Sequence, residues 1–457
     1  MSKKFDYDVI VIGSGPAGAS AALASANAGL KTAIVEKDKW GGSSLNHSDI
    51  PSKALFEFSH LYRKALDGAR LGISSATLRY NYPTAQSWKS LVMRRAGAGS
   101  KKIFESAKIA CFSGFASFLS PYELAVKDQV ISAPKFVIAT GGKLNSGDIS
   151  GIESVVCLTP SDAFSLTRPP KSVFVVGGGS TGVELANYFA ELGSQVTLGE
   201  LANRILPKED KEVSEILTRY FENRLHMKIL TSSRVVAVER SSKPGLQKVV
   251  FRRGGQEKTT EVAAIILATG SRPATNLGLE NAGVSYDTDG IHVDDNLRTK
   301  IKHIYAAGDC LGGESSAERS AYEGTLAAMN LIGKSKTPRN YNGFIRITDT
   351  YPSVATVGLT EEECIAKRIS YKRSLLPLST VSASNTSDFT LGLAKVLVDS
   401  KDRILGGTIV CPEAALVVQE LAMAIRHKLT ATELASIPHV SSSWSEVVRL
   451  ASSKLAK

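Results

Sequence analysis

Cysteine is scarce and scattered in this chain: Cys111, Cys157, Cys310, Cys364 and Cys411 lie far apart along 457 residues. There is no C-x-x-C, so a zinc site of paired cysteines is excluded, and an odd, dispersed set excludes a disulfide framework. The thiols read as reduced, small, buried hydrophobes, and no metal site is expected. Long apolar runs are lacking too. None approaches the roughly 20 residues that span a bilayer, so no membrane span is expected. The opening MSKKFDYD has neither the apolar core nor the small-residue cleavage site of a signal peptide, which points to a cytoplasmic protein. Aromatics are 7% of the chain, and the basic pairs Arg94-Arg95, Lys101-Lys102 and Arg252-Arg253 are not interleaved with them. The formal charge of +11 therefore reads as solvated surface, not as a nucleic-acid platform.

What is present is an ordinary globular composition, 43% hydrophobic and 22% charged, at a length that predicts about two to four domains. Residues 6–12, DYDVIVI, form a short β-branched run. Gly13-Ser14-Gly15-Pro16-Ala17-Gly18 follows, then an alanine-rich segment of strong helix formers. That order is strand, glycine turn, helix. The glycines let the turn close and the backbone approach a pyrophosphate, whose charge the first-turn N–H groups and the helix dipole stabilise. A second apolar run from Thr32 to Val35 ends in Glu36, 23 residues after Gly13, where a carboxylate accepts hydrogen bonds from adenosine ribose hydroxyls. The pattern then repeats. Ser172 to Val176 reads as a strand, Gly177-Gly178-Gly179-Ser180-Thr181-Gly182 as the turn and Val183 to Leu192 as the helix. Gln195 to Leu198 is the next strand, and Glu200 again stands 23 residues after the first glycine. Two fingerprints at one spacing imply two dinucleotides in one chain.

The segment after the first fingerprint, Gly41-Gly42, Leu45-Asn46 and Ile50-Pro51-Ser52-Lys53, resembles the flavin-side active-site segment of the pyridine nucleotide-disulfide oxidoreductases. These FAD enzymes include dihydrolipoamide dehydrogenase, glutathione reductase and mercuric reductase. The resemblance implies an α/β fold with two Rossmann-like dinucleotide-binding domains and a C-terminal α+β interface domain. It places an FAD domain in residues 1–145 and 273–340, an NAD(P) domain in 146–272, and a dimerisation domain in 341–457 that makes a homodimer. FAD is expected at Gly13, Gly15, Pro16, Ala17, Gly18, Glu36, Lys37, Gly42, Ser43, Lys53, Thr140, Gly141, Gly308 and Asp309. NAD(P)H is expected at Gly177, Gly179, Ser180, Thr181, Gly182, Glu184, Glu200 and Gly270. Glu200 favours NADH, because its carboxylate repels a 2′-phosphate, while Arg204 leaves NADPH open.

Between these landmarks, residues 56–110 read as mainly helical with an interruption near Tyr80 to Pro83. Cys111 to Leu119, Glu123 to Val126 and Gln129 to Ser132 read as a β-meander, and Ser320 to Leu331 as a helix. Pro352-Ser-Val-Ala-Thr-Val-Gly358 resembles the start of the interface domain.

In the family the flavin-side segment carries two cysteines that form the redox disulfide; the matching positions here are Ser44 and Asp49. The terminal motif of relatives is His, any residue, His, Pro, Thr, any residue, Ser or Ala, Glu. Here His439 and Glu446 match its ends, and the second histidine, the acid-base catalyst for thiols, falls on Ser441. Neither a hydroxyl nor a carboxylate can make or break an S–S bond. Lys53 matches the lysine beside flavin N5 and Glu184 the acid that pairs with it. The resemblance thus implies hydride transfer from NAD(P)H to FAD, followed by electron transfer to a non-disulfide small molecule such as a quinone. Asp49 is then a candidate proton donor, and Ser44, Ser441 and Glu446 complete the acceptor side. His47 is a further acid-base candidate. Two alternatives stay open: a soluble NAD(P) transhydrogenase, and a flavoprotein of little turnover that serves as a binding partner.

Overall fold

The computed structural model describes residues 4–73, 78–333 and 336–457, and the chain divides into two compact units. Unit one comprises residues 1–55, 81–145 and 270–340; unit two comprises 56–80, 146–269 and 341–457. Residues 74–77 of the stretch expected to be helical lie outside the described residues.

Unit one is built on a five-stranded parallel sheet in the order Ile304–Ala306, Phe136–Ile138, β1 (Val9–Ile12), β2 (Thr32–Glu36), Ala110–Ser113. β1 is buried along its whole length, and its side chains alternate between two cores. Ile10 and Ile12 pack with Phe118, Leu124 and Phe136. Val9 and Val11 pack with Ala21 and Ala22 of α1 (Pro16–Asn27) and with Leu326 and Ala327 of the Ala317–Ile332 helix. Those two helices touch backbone to backbone, since a Cβ on Gly324 would fall 2.0 Å from the Ala17 carbonyl oxygen.

One sequence expectation is corrected here. The run from Cys111 to Leu119 is not one meander strand. Ala110–Ser113 joins the parallel sheet beside β2, and only Ala116–Ser120 pairs with Glu123–Val126 and Gln129–Ser132. The break falls at Gly114, whose φ of +157° turns the chain out of the sheet. Where the chain leaves unit one after residue 145 and returns at 270, two strands pair antiparallel, Gly142–Leu144 with Ser271–Pro273.

Unit two contains a second five-stranded parallel sheet, ordered Lys228–Leu230, Gln195–Gly199, Ser172–Val176, Ala264–Leu267, Cys157–Leu158. The strand that enters the glycine turn is central in both sheets, and the strand beside it carries the acid at its end in the first and leads directly into it in the second. Residues 345–453 form an antiparallel five-stranded sheet covered by the Ala414–His427 and Glu446–Ser453 helices. Its buried Lys395 ammonium is held by Asp210 at 3.3 Å, Glu212 at 3.0 Å and Glu361 at 2.5 Å. The three carboxylates lie close enough together to group around a metal ion, but the Lys395 ammonium sits among them and Arg373 pairs with Glu212 at 3.3 Å and Glu361 at 2.7 Å. No helix among the described residues is long and apolar enough to cross a membrane.

Candidate functional site

The two glycine turns are the same device built twice. In the first, a Cβ on Gly13 would fall 2.2 Å from the Ala139 carbonyl oxygen, and one on Gly18 would fall 1.8 Å from that of Gly13. In the second, the equivalent distances are 2.4 Å from Ala268 for Gly177 and 1.8 Å from Gly177 for Gly182. The first and third glycines are therefore dictated by protein backbone. The middle one is not: among the described residues, chain neighbours aside, no atom lies within 4 Å of a Cβ built on Gly179, and for Gly15 the nearest is Gly42 Cα at 3.9 Å. The middle glycines face open space at a helix N-terminus, the shape a pyrophosphate needs. Pro16 and Ser180 open the two helices.

Each acid is tied to its turn. Glu36 is buried; its Oε2 accepts from the Ser14 N–H at 2.9 Å and the Ser14 hydroxyl at 2.7 Å, and its Oε1 from the Asp38 N–H at 2.9 Å. Glu200 is buried likewise, accepting from the Gly178 N–H at 2.5 Å and the Ala202 N–H at 2.6 Å. Carboxylate oxygens have capacity left for ribose hydroxyls. Arg204 is already engaged: its Nη2 donates to Glu362 at 2.6 Å and to the Pro207 and Glu209 carbonyls.

The segment after β2 is docked on the first turn. Gly41 N–H donates to Ser14 Oγ at 2.9 Å, and a Cβ on Gly42 would fall 2.6 Å from Gly15 Cα. α2 (Gly42–Asn46) follows, and Asn46 Nδ2 donates back to the Trp40 and Gly42 carbonyls. α3 (Asp49–Asp67) begins three residues later with Pro51 in its first turn, where its missing N–H costs nothing. Ser43 and Lys53 are exposed. Ser44 Oγ donates to Asp49 Oδ2 at 2.5 Å, across the gap between α2 and α3. His47 reaches Asp38 at 3.4 Å.

The other flavin-side residues lie on the same unit. Thr140 Oγ1 donates to the Ala274 carbonyl at 2.6 Å, beside Gly141, whose φ is +71°. Gly308 N–H donates to the buried Glu323 at 2.7 Å, and the Ser320 hydroxyl reaches Asp309 at 3.4 Å. Burial pushes the Asp309 carboxyl up, with Ser315, Arg319 and Ser320 acting against it. Lys37 is exposed, and so is Gly270, the residue expected on the NAD(P)H side, which also lies in unit one.

In unit two, Glu184 Oε1 accepts from the Asp349 N–H at 2.7 Å, and Ser180 Oγ accepts from the Thr348 hydroxyl at 3.1 Å; Thr181 is exposed. Ser441 is exposed in a turn, while Glu446 opens the last helix and pairs with Arg449 at 3.2 Å. His439 is bonded through Nε2 to Glu420 at 2.9 Å and through Nδ1 to the Ile437 carbonyl.

All five cysteines are free thiols. Burial raises every one, Cys310 and Cys411 to about 12, so none is a thiolate at neutral pH. The sequence reading missed the Lys395 cluster and a buried His60–Glu191 pair. The latter had a local signal: each residue stands seven positions after Lys53 or Glu184.

Residues 7–328 match the family model described as pyridine nucleotide-disulphide oxidoreductase, and residues 345–452 match that family's dimerisation domain. The chain is 32% identical to dihydrolipoyl dehydrogenase 2, mitochondrial, of Arabidopsis thaliana, covering 97% of this chain and 89% of that one. It is 31% identical to mercuric reductase of Bacillus cereus, over 94% of this chain and 68% of the other. Among solved structures it is similar to LpdA of Mycobacterium tuberculosis, at 25% identity and a TM-score of 0.88, over 98% and 100% of the two chains. It is also similar to the HOCl-induced flavoprotein disulfide reductase RclA of Escherichia coli, at 25% identity and 0.87, over 98% and 99%. The chain belongs to the pyridine nucleotide-disulphide oxidoreductase family, whose members bind FAD and use NAD(P)H.

Proposed function

We propose that this protein takes hydride from NADH and reduces a non-disulfide small molecule, a quinone by preference, without a sulfur relay. FAD, when bound, supplies the two-electron step between nucleotide and acceptor. The balance is NADH, one proton and quinone giving NAD+ and hydroquinone. The observation that carries this reading is the Ser44–Asp49 hydrogen bond, which occupies the two positions where relatives are expected to hold their disulfide. Oxygen there cannot accept electrons as an S–S bond does. Ser441 in place of the thiol acid-base catalyst and the raised, dispersed cysteines support it further.

In this reading the FAD domain is residues 1–145 and 273–340, the NAD domain 146–272 and the interface domain 341–457. Glu36 and Glu200 take the two adenosine riboses, and the middle glycines admit the pyrophosphates. Lys53 favours negative charge building beside it, and Glu184 keeps that lysine charged and orients the nicotinamide amide. Asp49 hands a proton to the acceptor, and Ser44, Ser441 and Glu446 line its approach. NADH is preferred because Glu200 repels a 2′-phosphate and Arg204 is held by Glu362.

Anaerobic titration with NADH tests this. Bound flavin should bleach without a long-wavelength thiolate band and recover rapidly with a quinone. Recovery with NADP+ instead marks a transhydrogenase, and an unbleached flavin marks a protein kept for binding. Appreciable turnover of lipoamide or glutathione disulfide would overturn the proposal.

A further inference from the structure

A cleft in unit two stands outside the chemistry assigned so far. It measures about 610 Å³, within the range of small-molecule sites, and every residue that lines it belongs to unit two. Its walls are aromatic. Tyr220, only 4% exposed, comes from the Lys211–Arg224 helix, while Tyr351, Phe389 and Trp444 come from loops of residues 341–457. Phe389 and Trp444 pack against the core of the antiparallel sheet and are only partly buried, so each keeps some ring surface for another contact. Tyr351 and Phe389 meet edge to face with ring centroids 5.2 Å apart. Such a set of rings suits a flat aromatic ligand, through stacking and edge contacts.

The charges of the lining leave cations over. Asp67 is shared by two arginines, Arg63 at 2.8 Å and Arg224 at 3.6 Å. Asp388 is engaged as well. Lys64 and Arg219, both exposed, have no carboxylate partner among the described residues. Arg219 Nε donates to the Glu215 carbonyl at 3.3 Å, which leaves its two Nη groups for a ligand, and the Lys64 ammonium lies 5.4 Å from the Tyr351 ring centre. Glu413 is the one lining carboxylate without a cation among the described residues. Two unmatched cations against one unmatched acid favour a ligand that brings negative charge. A guanidinium takes a carboxylate through paired N–H groups, and a lysine over a ring face keeps its charge at the aromatic wall.

We propose that this cleft binds a flat aromatic carboxylate, with its ring among Tyr351, Phe389 and Trp444 and its carboxylate on Arg219 and Lys64. The rings supply most of the affinity, because an ion pair at an exposed rim contributes little. The two cations supply the choice, favouring the acid over an uncharged ring of the same shape. No flavin-side residue enters the site, so it stands or falls apart from the acceptor chemistry.

The test is equilibrium dialysis of the full-length, FAD-loaded protein against indole-3-propionate, with no nucleotide and no turnover. Roughly 14 non-hydrogen atoms at the efficiency of an ordinary ligand give a Kd of about 1 mM or tighter. Lys64→Gln/Arg219→Leu changes exposed groups alone; it should weaken the acid about fivefold or more and bring it level with its uncharged analogue 3-methylindole. Phe389→Leu should weaken both compounds about fivefold. Wild-type protein that takes up 3-methylindole as tightly as the acid overturns the proposal, and so does a double variant that binds the acid as wild type does. Release of the acid by excess NAD+ would put it in the nucleotide turn and overturns the proposal too. No uptake at concentrations up to about 10 mM, as when a second copy of the chain covers the cleft, has the same consequence. Should Phe389→Leu not retain FAD, Trp444→Leu is read in its place, and affinity within twofold of wild type overturns the proposal.

Discussion

The Ser44 hydroxyl donates to the Asp49 carboxylate at 2.5 Å, and this bond joins α2 to the first residue of α3. In the proposed reading these two positions stand where a disulfide reductase would exchange electrons. A hydroxyl and a carboxylate exchange protons, which a quinone needs and a disulfide relay does not supply in that place.

Asp49→Asn should therefore slow quinone turnover about 10- to 100-fold and leave flavin reduction by NADH within twofold, as for removal of a general acid from one half-reaction. Rapid-mixing measurement of the two halves decides it. Equal slowing of both would remove Asp49 from the proton-donor role.

The glycines of the second turn should separate folding from binding. Gly182→Ala drives a methyl to 1.8 Å from a backbone oxygen and should cost about 3 kcal/mol or more, read as a fall in the urea midpoint. Gly179→Ala meets no protein atom, so stability should stay within about 0.5 kcal/mol. Its methyl enters the space proposed for pyrophosphate, and NADH affinity should drop at least about tenfold, or about 1.4 kcal/mol. Unchanged NADH binding in Gly179→Ala would remove that turn from the nucleotide site.

Nucleotide choice should depend on two acids together. Glu200→Ala alone removes the repulsion of a 2′-phosphate but leaves Arg204 held by Glu362 at 2.6 Å. Adding Glu362→Gln weakens that hold and should narrow the NADH-to-NADPH preference by a further factor of about ten, roughly 1.4 kcal/mol. Steady-state kcat/KM for both nucleotides reads the effect. A double variant no different from Glu200→Ala would show Arg204 to be out of reach.

Stability should carry a histidine signature. Burial pulls the His60 imidazole down, but its hydrogen bond to Glu191 and the charges of Glu191 and Asp349 outweigh burial and leave it above the ordinary 6.5. A raised folded-state value means the stabilisation is fully present below about pH 6.5 and is lost as the pH rises through the folded-state value. The wild type should thus exceed His60→Leu/Glu191→Leu by more at pH 6 than at pH 9 in urea unfolding. A gap that widens toward pH 9 would contradict the protonated pair.

The legible parts of this protein were those with local rules. A strand, a glycine turn, a helix and an acid at fixed spacing need no knowledge of distant residues, and Glu36 and Glu200 do bond to the turns that their spacing singled out. The Ala110–Ser113 strand was misjudged because its pairing with β2 joins positions some 77 residues apart. Its own residues, ACFS, have no stronger claim on a parallel sheet than on a meander. Lys395 had no signal at all: its carboxylates come from residues 210, 212 and 361.

Residue identity by itself set which chemistry is open to the chain, because an oxygen at positions 44 and 49 remains oxygen in any fold, and the short-range spacing of glycines picked out the two strand–turn–helix units. Tertiary structure alone decided which distant groups meet: His60 with Glu191, and Arg204 with Glu362. Such meetings depend on burial and on long-range packing, and a charged side chain in a linear string carries no mark of whether it will end in water or against a partner more than a hundred residues away.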